Sequence, residues 1–397
     1  MNIRLCNKNE TNQVKDIWKY CFNDSDEYVD FYFKYKFNPQ NTIVLEDEAS
    51  VISSLHLNQH KINLNFREYE ASYVVGVSTL PEARGIGKMN ELMNSSLRHM
   101  YNLNQSVSIL MPIDFRLYTK YGYENCYDML LQKLSIYDLK KFKTDGEFKR
   151  AESPSDLKEV YSYAVSRYNG YAIRDEKYFE EYIKEMIAEA GYIYINYREK
   201  VPVGYIVYSI EGEDFIVREC YYKDIISYKS MLKFIFNHNT QCKNVIINSA
   251  MDDPLRFMLD NPRESSFEIK PFMMARIINF SKLIDELDIT MLDSELEDGE
   301  EILIAIKDGQ IEENDGVFKL YAKDRKLKAE KISELKDKTD DLDVFTINEL
   351  TSICFSYHSI DEIDHIREEK LNNIIAIRDI FSNIKNDLCI NHINEYV

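Results

Sequence analysis

Arg84-Gly85-Ile86-Gly87-Lys88 lies between the apolar run "YVVGVSTL" and a segment with helical spacing, and it is the first stretch able to do chemistry. A strand, a glycine turn and a helix together form an anion site. The helix N-terminus leaves backbone N–H groups unpaired and carries partial positive charge. Glycine lets the backbone approach a phosphate with no Cβ in the way. A nucleoside triphosphate loop needs Gly-x-x-x-x-Gly-Lys-Ser/Thr. Here Glu82 stands where the first glycine belongs, and Met89 replaces the hydroxyl that would serve Mg²⁺. A dinucleotide loop needs Gly-x-Gly-x-x-Gly. Gly85 and Gly87 fit, but Asn90 takes the third place, and the following strand "SVSILMPI" ends without a ribose-binding acid. A third spacing, Arg-x-x-Gly-x-small, fits Arg84 to Met89 except for the methionine in the last position.

A second candidate is Tyr118 in "RLYTKYGYE". A phenol with a pKa of about 10 can donate a proton to a departing anion. On residue type alone it is one of 29 tyrosines and reads equally well as core. A third is "CFNDSDEYVDFYF", which offers Asp24, Asp26 and Glu27 beside Phe22 and other aromatics. Carboxylates among aromatics suit a cationic amine. The same pattern also fits an amphipathic helix with an exposed acidic face.

The composition narrows the field. The chain has 397 residues and a net charge of −19, so most of its surface repels nucleic acid and anionic membranes. Seven cysteines without a CxxC pair exclude a zinc ribbon and a disulfide framework. The seven histidines show no HExxH or HxH pairing, and no Gly-x-Ser-x-Gly elbow occurs. No apolar run approaches membrane-spanning length, and the N-terminal "MNIRLCNKNE" has no apolar targeting core. These features predict a reduced, cytoplasmic protein with no bound metal.

The elements that would position the candidates follow from periodicity. Val14, Ile17, Trp18 and Cys21 recur at helical spacing, and three strands lead to Thr79. A helix from about Lys88 puts Met89, Leu92, Met93, Leu97 and Met100 on one face. The first 140 or so residues read β-α-α-β-β-β-α-β-α-β, with the glycine turn at the centre of a mixed sheet. From about Ala151 a similar order returns, but the place of the glycine turn reads "CYYKDIISYKSML", with neither glycine nor arginine. After the carboxylate-rich stretch near 287–300, turn signals at Asp308-Gly309 and Asp315-Gly316 predict a hairpin or meander. Thr346 and Glu349 then form a capping box opening an apolar helix.

"LPEARGIGKMNELM" resembles the strand–loop–helix signature of the GNAT superfamily, and "RLYTKYGYE" resembles its second signature. The whole layout is similar to the enhanced intracellular survival (Eis) family. That resemblance implies an α/β (α+β) protein: a catalytic GNAT domain at 1–150, a degenerate GNAT-like domain at 151–286 and a sterol-carrier-protein-like α+β domain at 287–397. It implies acetyl-CoA as acyl donor, no metal, and a primary amine as acceptor: an aminoglycoside, a polyamine or a lysine-like group. In the family, a splayed strand pairs with the pantetheine arm; here that is Val77, Ser78 and Thr79. The cradle for the pyrophosphate would be Gly85, Ile86, Gly87, Lys88, Met89 and Asn90, with charge from Arg84 and Lys88. Ile113 and Asp114 fall where the family touches the cofactor again. Tyr118 takes the role of general acid, with Tyr121 and Tyr123 as fallbacks. The base is the terminal carboxylate of Val397, with His392 and Glu395 as alternatives, and Phe22, Asp24, Asp26 and Glu27 line the acceptor site. A homo-oligomer is expected. The rival reading is a lipid-binding protein with an idle GNAT fold, which predicts an apolar cavity within 287–397.

Overall fold

The computed structural model describes residues 2–287, 301–335, 342–382 and 390–396. The acidic stretch 288–300 and Val397 lie outside the described residues. Backbone proximity groups the chain into two compact units. The first holds residues 1–23, 37–127 and 272–397, and the second holds 24–36 and 128–271.

In the first unit, antiparallel strands Asn2–Leu5, Thr42–Asp47, Ser50–Leu64 and Arg67–Thr79 pair in that order. Arg67–Thr79 then pairs in parallel with Val107–Leu110, which in turn pairs antiparallel with Met274–Ile277. The Lys88–Asn102 helix buries Leu92, Met93, Leu97 and Met100, the stripe expected from spacing. These side chains join Leu55, Leu57, Val74, Tyr118, Tyr121 and Tyr123 in one apolar cluster. On the Thr11–Cys21 helix, Val14, Ile17 and Trp18 are buried.

The C-terminal segment of this unit is α+β. Its sheet runs in the order Lys326–Ser333, Gly316–Lys323, Glu301–Lys307, Asp343–Thr346. The two Asp-Gly turn signals bracket a single connection, because the Asp308 carboxylate accepts the N–H groups of Gln310 and Ile311 and bends the chain there. The tight hairpin turn falls instead at Asp324-Arg325, both with positive φ (54° and 59°). Capping boxes at Thr346/Glu349 and Ser359/Glu362 open the helices Ile347–Cys354 and Ile360–Ile366.

The second unit repeats the pattern. Strands Glu147–Arg150, Tyr192–Arg198, Val201–Glu211 and Asp214–Tyr222 pair antiparallel in order. Asp214–Tyr222 pairs in parallel with Asn244–Ser249, which pairs antiparallel with Leu130–Ser135. Tyrosines fill much of its interior, and two of them bond through their hydroxyls: Tyr161 donates to the Ala172 carbonyl at 2.6 Å and Tyr205 to Glu219 at 2.9 Å. Glu219 also takes a forked pair from Arg174 at 2.8 and 3.2 Å, with both side chains fully buried. The Arg174 guanidinium lies over the rings of Tyr161 and Tyr178, at 4.4 and 4.7 Å. Removing one partner of such a pair strands a charge away from water. Glu219→Ala is therefore expected to cost about 3–5 kcal/mol of unfolding free energy. Denaturant titration of that unit's tyrosine fluorescence measures it, and a loss below about 1 kcal/mol would show that water reaches Arg174.

Candidate active site

The site begins with a fault in the sheet. Ser54 pairs with Ser78 and His56 with Val75, so Gly76 and Val77 together face Leu55. This is a β-bulge, and Gly76 has the left-handed φ (+60°) that a bulge glycine supplies. A Cβ at Gly76 would overlap the Trp18 ring. Trp18 in turn stacks on His56 at 5.3 Å, and Phe37 meets His56 edge-on at 5.2 Å. Burial pushes the His56 imidazole down to about 3, so it stays neutral beneath the bulge. An isolated glycine inside a strand pattern is a bulge signal, and "YVVGVST" carried it.

The bulge turns the Arg67–Thr79 strand away from its parallel neighbour. Their pairing ends at Val74 and Leu110, and Pro112 cannot continue the ladder. Val77, Ser78 and Thr79 thus lie on an edge with no strand partner on that side among the described residues. Their other side is tied down: Ser53 Oγ donates to the Ser78 carbonyl at 2.6 Å, and Ser54 Oγ lies 3.0 Å from Ser78 Oγ.

The glycine turn follows. Gly85 and Gly87 have φ of +77° and +82°, and a Cβ at either would meet nothing within 4 Å. Glycine is needed here for conformation and for the open space in front of the turn. Among the described residues, no acceptor takes the N–H groups of Gly85, Ile86, Gly87, Lys88 or Met89. Asn90 differs: its N–H already bonds the Gly87 carbonyl at 2.9 Å. Arg84 is held ready, with Nε donating to the Thr79 carbonyl at 2.8 Å, Nη2 lying 3.4 Å from Cys21 Sγ, and the guanidinium over the Tyr20 ring at 5.7 Å. The Tyr20 and Cys21 supports were missed from sequence, since neither carries a motif. Lys88 pairs with Glu91 at 2.8 Å. The off-pattern Met89 packs with Val77 against the cluster that holds Tyr118.

Tyr118 sits on the one-turn helix Arg116–Thr119 and is 7 % exposed. Burial, then the neighbouring Tyr121, pushes its phenol up to about 12. It holds its proton throughout the physiological range. Of the fallbacks, Tyr123 is buried and bonded to Ser108 at 2.8 Å, and Tyr121 is fully buried. Ile86, within the turn, is 58 % exposed, and Ile113, after the Val107–Leu110 strand, is 84 % exposed. Asp114 is held below the usual carboxylate range by Arg116. An open strand edge, five open N–H groups and a protonated phenol are groups that fit the arm, pyrophosphate and thioester of acetyl-CoA.

The remaining candidates divide. Phe22, half-buried, packs on Trp18 at 4.8 Å in the first unit. Asp24, Asp26 and Glu27 are exposed and belong to the second unit. Asp26 and Glu27 occupy the first turn of the Asp26–Tyr35 helix, where Ser25 caps Tyr28 N–H at 3.2 Å and acidic residues complement the helix dipole. The C-terminal tail is docked: Asn391, His392, Ile393, Asn394 and Glu395 are all buried. Tyr73, on the central strand, donates to the Glu395 carbonyl at 3.1 Å, and the Glu395 carboxylate lies 3.6 Å from His60 Nε2.

Among the described residues, no cluster of His, Cys, Asp and Glu could hold a metal ion, and no helix is long and apolar enough to cross a membrane. A cavity of about 620 Å³ does occur in the C-terminal segment. Lys307, Asp343, Glu349, Arg367, Glu368 and Lys370 are among its lining, a charged surface and not the apolar one a lipid needs.

In the second unit, the corresponding strand also carries a bulge, at Arg218, immediately after its last parallel pair. Its next helix, Ile225–Phe236, is closed by its own side chain. The Asp224 carboxylate accepts Ser227 N–H at 2.7 Å and is held near 2, first by Arg198. A carboxylate thus stands where the first unit leaves amides open.

Two family models, each described as an acetyltransferase (GNAT) domain, match residues 2–126 and 170–277, together more than half of the chain. Comparison with curated protein sequences gives no match. Among solved structures, a probable N-acyltransferase from Enterococcus faecalis is similar with a TM-score of 0.83 at 19 % identity, covering 100 % of this chain and 99 % of that one. A GCN5-related N-acetyltransferase from Anabaena variabilis gives 0.79 at 19 % identity, covering 96 % of both chains. Eis1 from Mycobacterium abscessus gives 0.74 at 14 % identity, covering 100 % of both. With two such domains in tandem, the chain belongs to the GNAT acetyltransferases and is an acyltransferase whose fold implies the use of acetyl-CoA.

Proposed function

We propose that the first unit transfers acetyl from acetyl-CoA to a primary amine by direct attack of the amine on the thioester. The observation that carries this reading is the convergence of Val77, Met89 and Tyr118 on one apolar cluster beside the open strand edge. The bound donor supplies the acetyl carbonyl and a thiolate leaving group. In this reading Val77, Ser78 and Thr79 align the arm. The amides of Gly85 to Met89, with Arg84 and Lys88, take the pyrophosphate, and Ile113 and Asp114 flank it. Asn90 contributes through its place in the helix's first turn. As the C–N bond forms and the C–S bond breaks, Tyr118 Oη gives its proton to the sulfur.

The amine's proton goes to the docked tail. The resemblance assigns that role to the carboxylate of Val397; Glu395 and His392 are the alternatives on the same segment. Supporting the tail as the location is the burial of residues 391–395 against the central strand. For the acceptor we propose a cationic small molecule or a lysine-like group; Phe22, Asp24, Asp26 and Glu27 are the residues the resemblance offers for it. The net charge of −19 favours such a partner over any polyanion. The same reading keeps the protein cytoplasmic and oligomeric, with a catalytic region at 1–150, a GNAT-like region at 151–286 and a sterol-carrier-like region at 287–397.

Thiol release from acetyl-CoA across an amine panel tests the acid and the base. Tyr118→Phe should lower kcat about 10²-fold, and adding residues beyond Val397 should lower it comparably. Full activity in both variants would sink the assignments. Because the phenol is pushed up to about 12, no alkaline fall from Tyr118 should appear in the kcat profile below about pH 10. A fall near neutrality that vanished in Tyr118→Phe would contradict that.

The turn has its own test. Gly87→Ala should cost the fold only about 1 kcal/mol, the penalty of its left-handed φ. The same methyl should weaken CoA binding by about tenfold or more, because it enters the space an anion would take. Calorimetric titration with CoA reads this directly, and an unchanged affinity would remove the turn from the binding site.

A further inference from the structure

The helix that carries Tyr118 is a single turn, Arg116–Thr119, too short to be stable alone. Its exit leaves carbonyls that need donors. Some donors are local: the Tyr121 and Gly122 N–H groups donate to the Tyr118 and Thr119 carbonyls at 2.9 and 3.0 Å. The others come from far along the chain. Asn348 Nδ2 donates to the Thr119 and Tyr123 carbonyls at 3.1 and 2.9 Å. Gln310 Nε2 donates to the Lys120 carbonyl at 3.1 Å. Arg276 donates to the Tyr121 carbonyl, while its other nitrogen binds both Asp308 oxygens at 2.8 Å. Arg276 and Asp308 are fully buried, and a Cβ at Gly122 would overlap the guanidinium. Gly122, at φ +81°, admits it. The backbone that follows Tyr118 is thus capped by Asn348 and Gln310 and by an arginine that Asp308 holds in place.

We propose that Asn348, Gln310 and the Arg276–Asp308 pair are positioning residues for the Tyr118 hydroxyl, so that the C-terminal segment sets the efficiency of proton donation without taking part in acetyl-CoA binding. The proposal rests on Tyr118 being the proton donor. A displacement of about 1 Å at a reacting group can cost about 10²-fold in rate. Loss of one carbonyl anchor on a one-turn helix is expected to act through kcat.

The test is a double-mutant cycle between the cap and Tyr118. Asn348→Ala removes the donor. Asn348→Asp keeps the size, cannot donate, and sits in the first turn of the Ile347–Cys354 helix, where a carboxylate favours folding. Gln310→Ala removes a donor at an exposed bond and tests the clamp independently should Asn348 variants fail to fold. Each is expected to lower kcat about tenfold while leaving KM for acetyl-CoA within about twofold. In a Tyr118→Phe background the same changes should cost nothing further. If Tyr118→Phe alone keeps full activity, the proton-donor reading falls. If Tyr118→Phe is impaired but the cap variants stay fully active, or their losses multiply with it, the positioning inference falls by itself.

Discussion

A single inserted residue in a β-ladder governs the rest of the site. With Gly76 and Val77 set against Leu55, the central strand twists out of register and parts from its parallel neighbour after Val74. A sheet interior normally has no spare backbone groups; here it presents an edge at its middle. The distortion survives because the absent side chain at Gly76 leaves room for Trp18, which rests on a neutral His56. Any bulkier residue would face both a strained φ and a ring at contact distance.

The two units differ in how the helix after the bulged strand begins. Both have a strand with a bulge after its last parallel pair, then a helix. In the first, left-handed glycines lead into the helix and leave amides without acceptors among the described residues. In the second, Asp224 caps its own helix and Arg198 neutralises the carboxylate. A capped helix is more stable by roughly 1 kcal/mol, and the open one forgoes that stability. An acidic protein can still accept an anion locally, because oriented amides act at short range whereas net charge is screened beyond about 10 Å.

The C-terminal segment belongs physically to the first unit. Its tail buries Asn391 against the Cys126 and Phe355 carbonyls and Glu395 beside Tyr73. The Arg276–Asp308 pair is sealed from water, so parting the segment would expose or strand a charge.

Periodicity and turn chemistry are local, and what depends on them was legible in the sequence: the helices at Thr11–Cys21 and Lys88–Asn102, the capping box at Thr346, the glycine turn and the missing turn in the second copy. Local patterns also overreached, as where two Asp-Gly pairs suggested turns that a side-chain bend merged into one connection. The sequence could not say that Asp26 and Glu27 stand in the first turn of a helix that packs in the second unit, because helix periodicity is blind to which body buries the helix. Nor could it join Tyr20 and Cys21 to Arg84, or Asn348 to Thr119, since those bonds link residues far apart in the chain and carry no motif. By itself the sequence determined the elements and the chemistry of the turn, because φ, spacing and charge act within a few residues. Only the tertiary structure decided where the sheet opens and what holds Tyr118 and Arg84 in place, because those depend on close packing and on hydrogen bonds that exist only once the chain has folded.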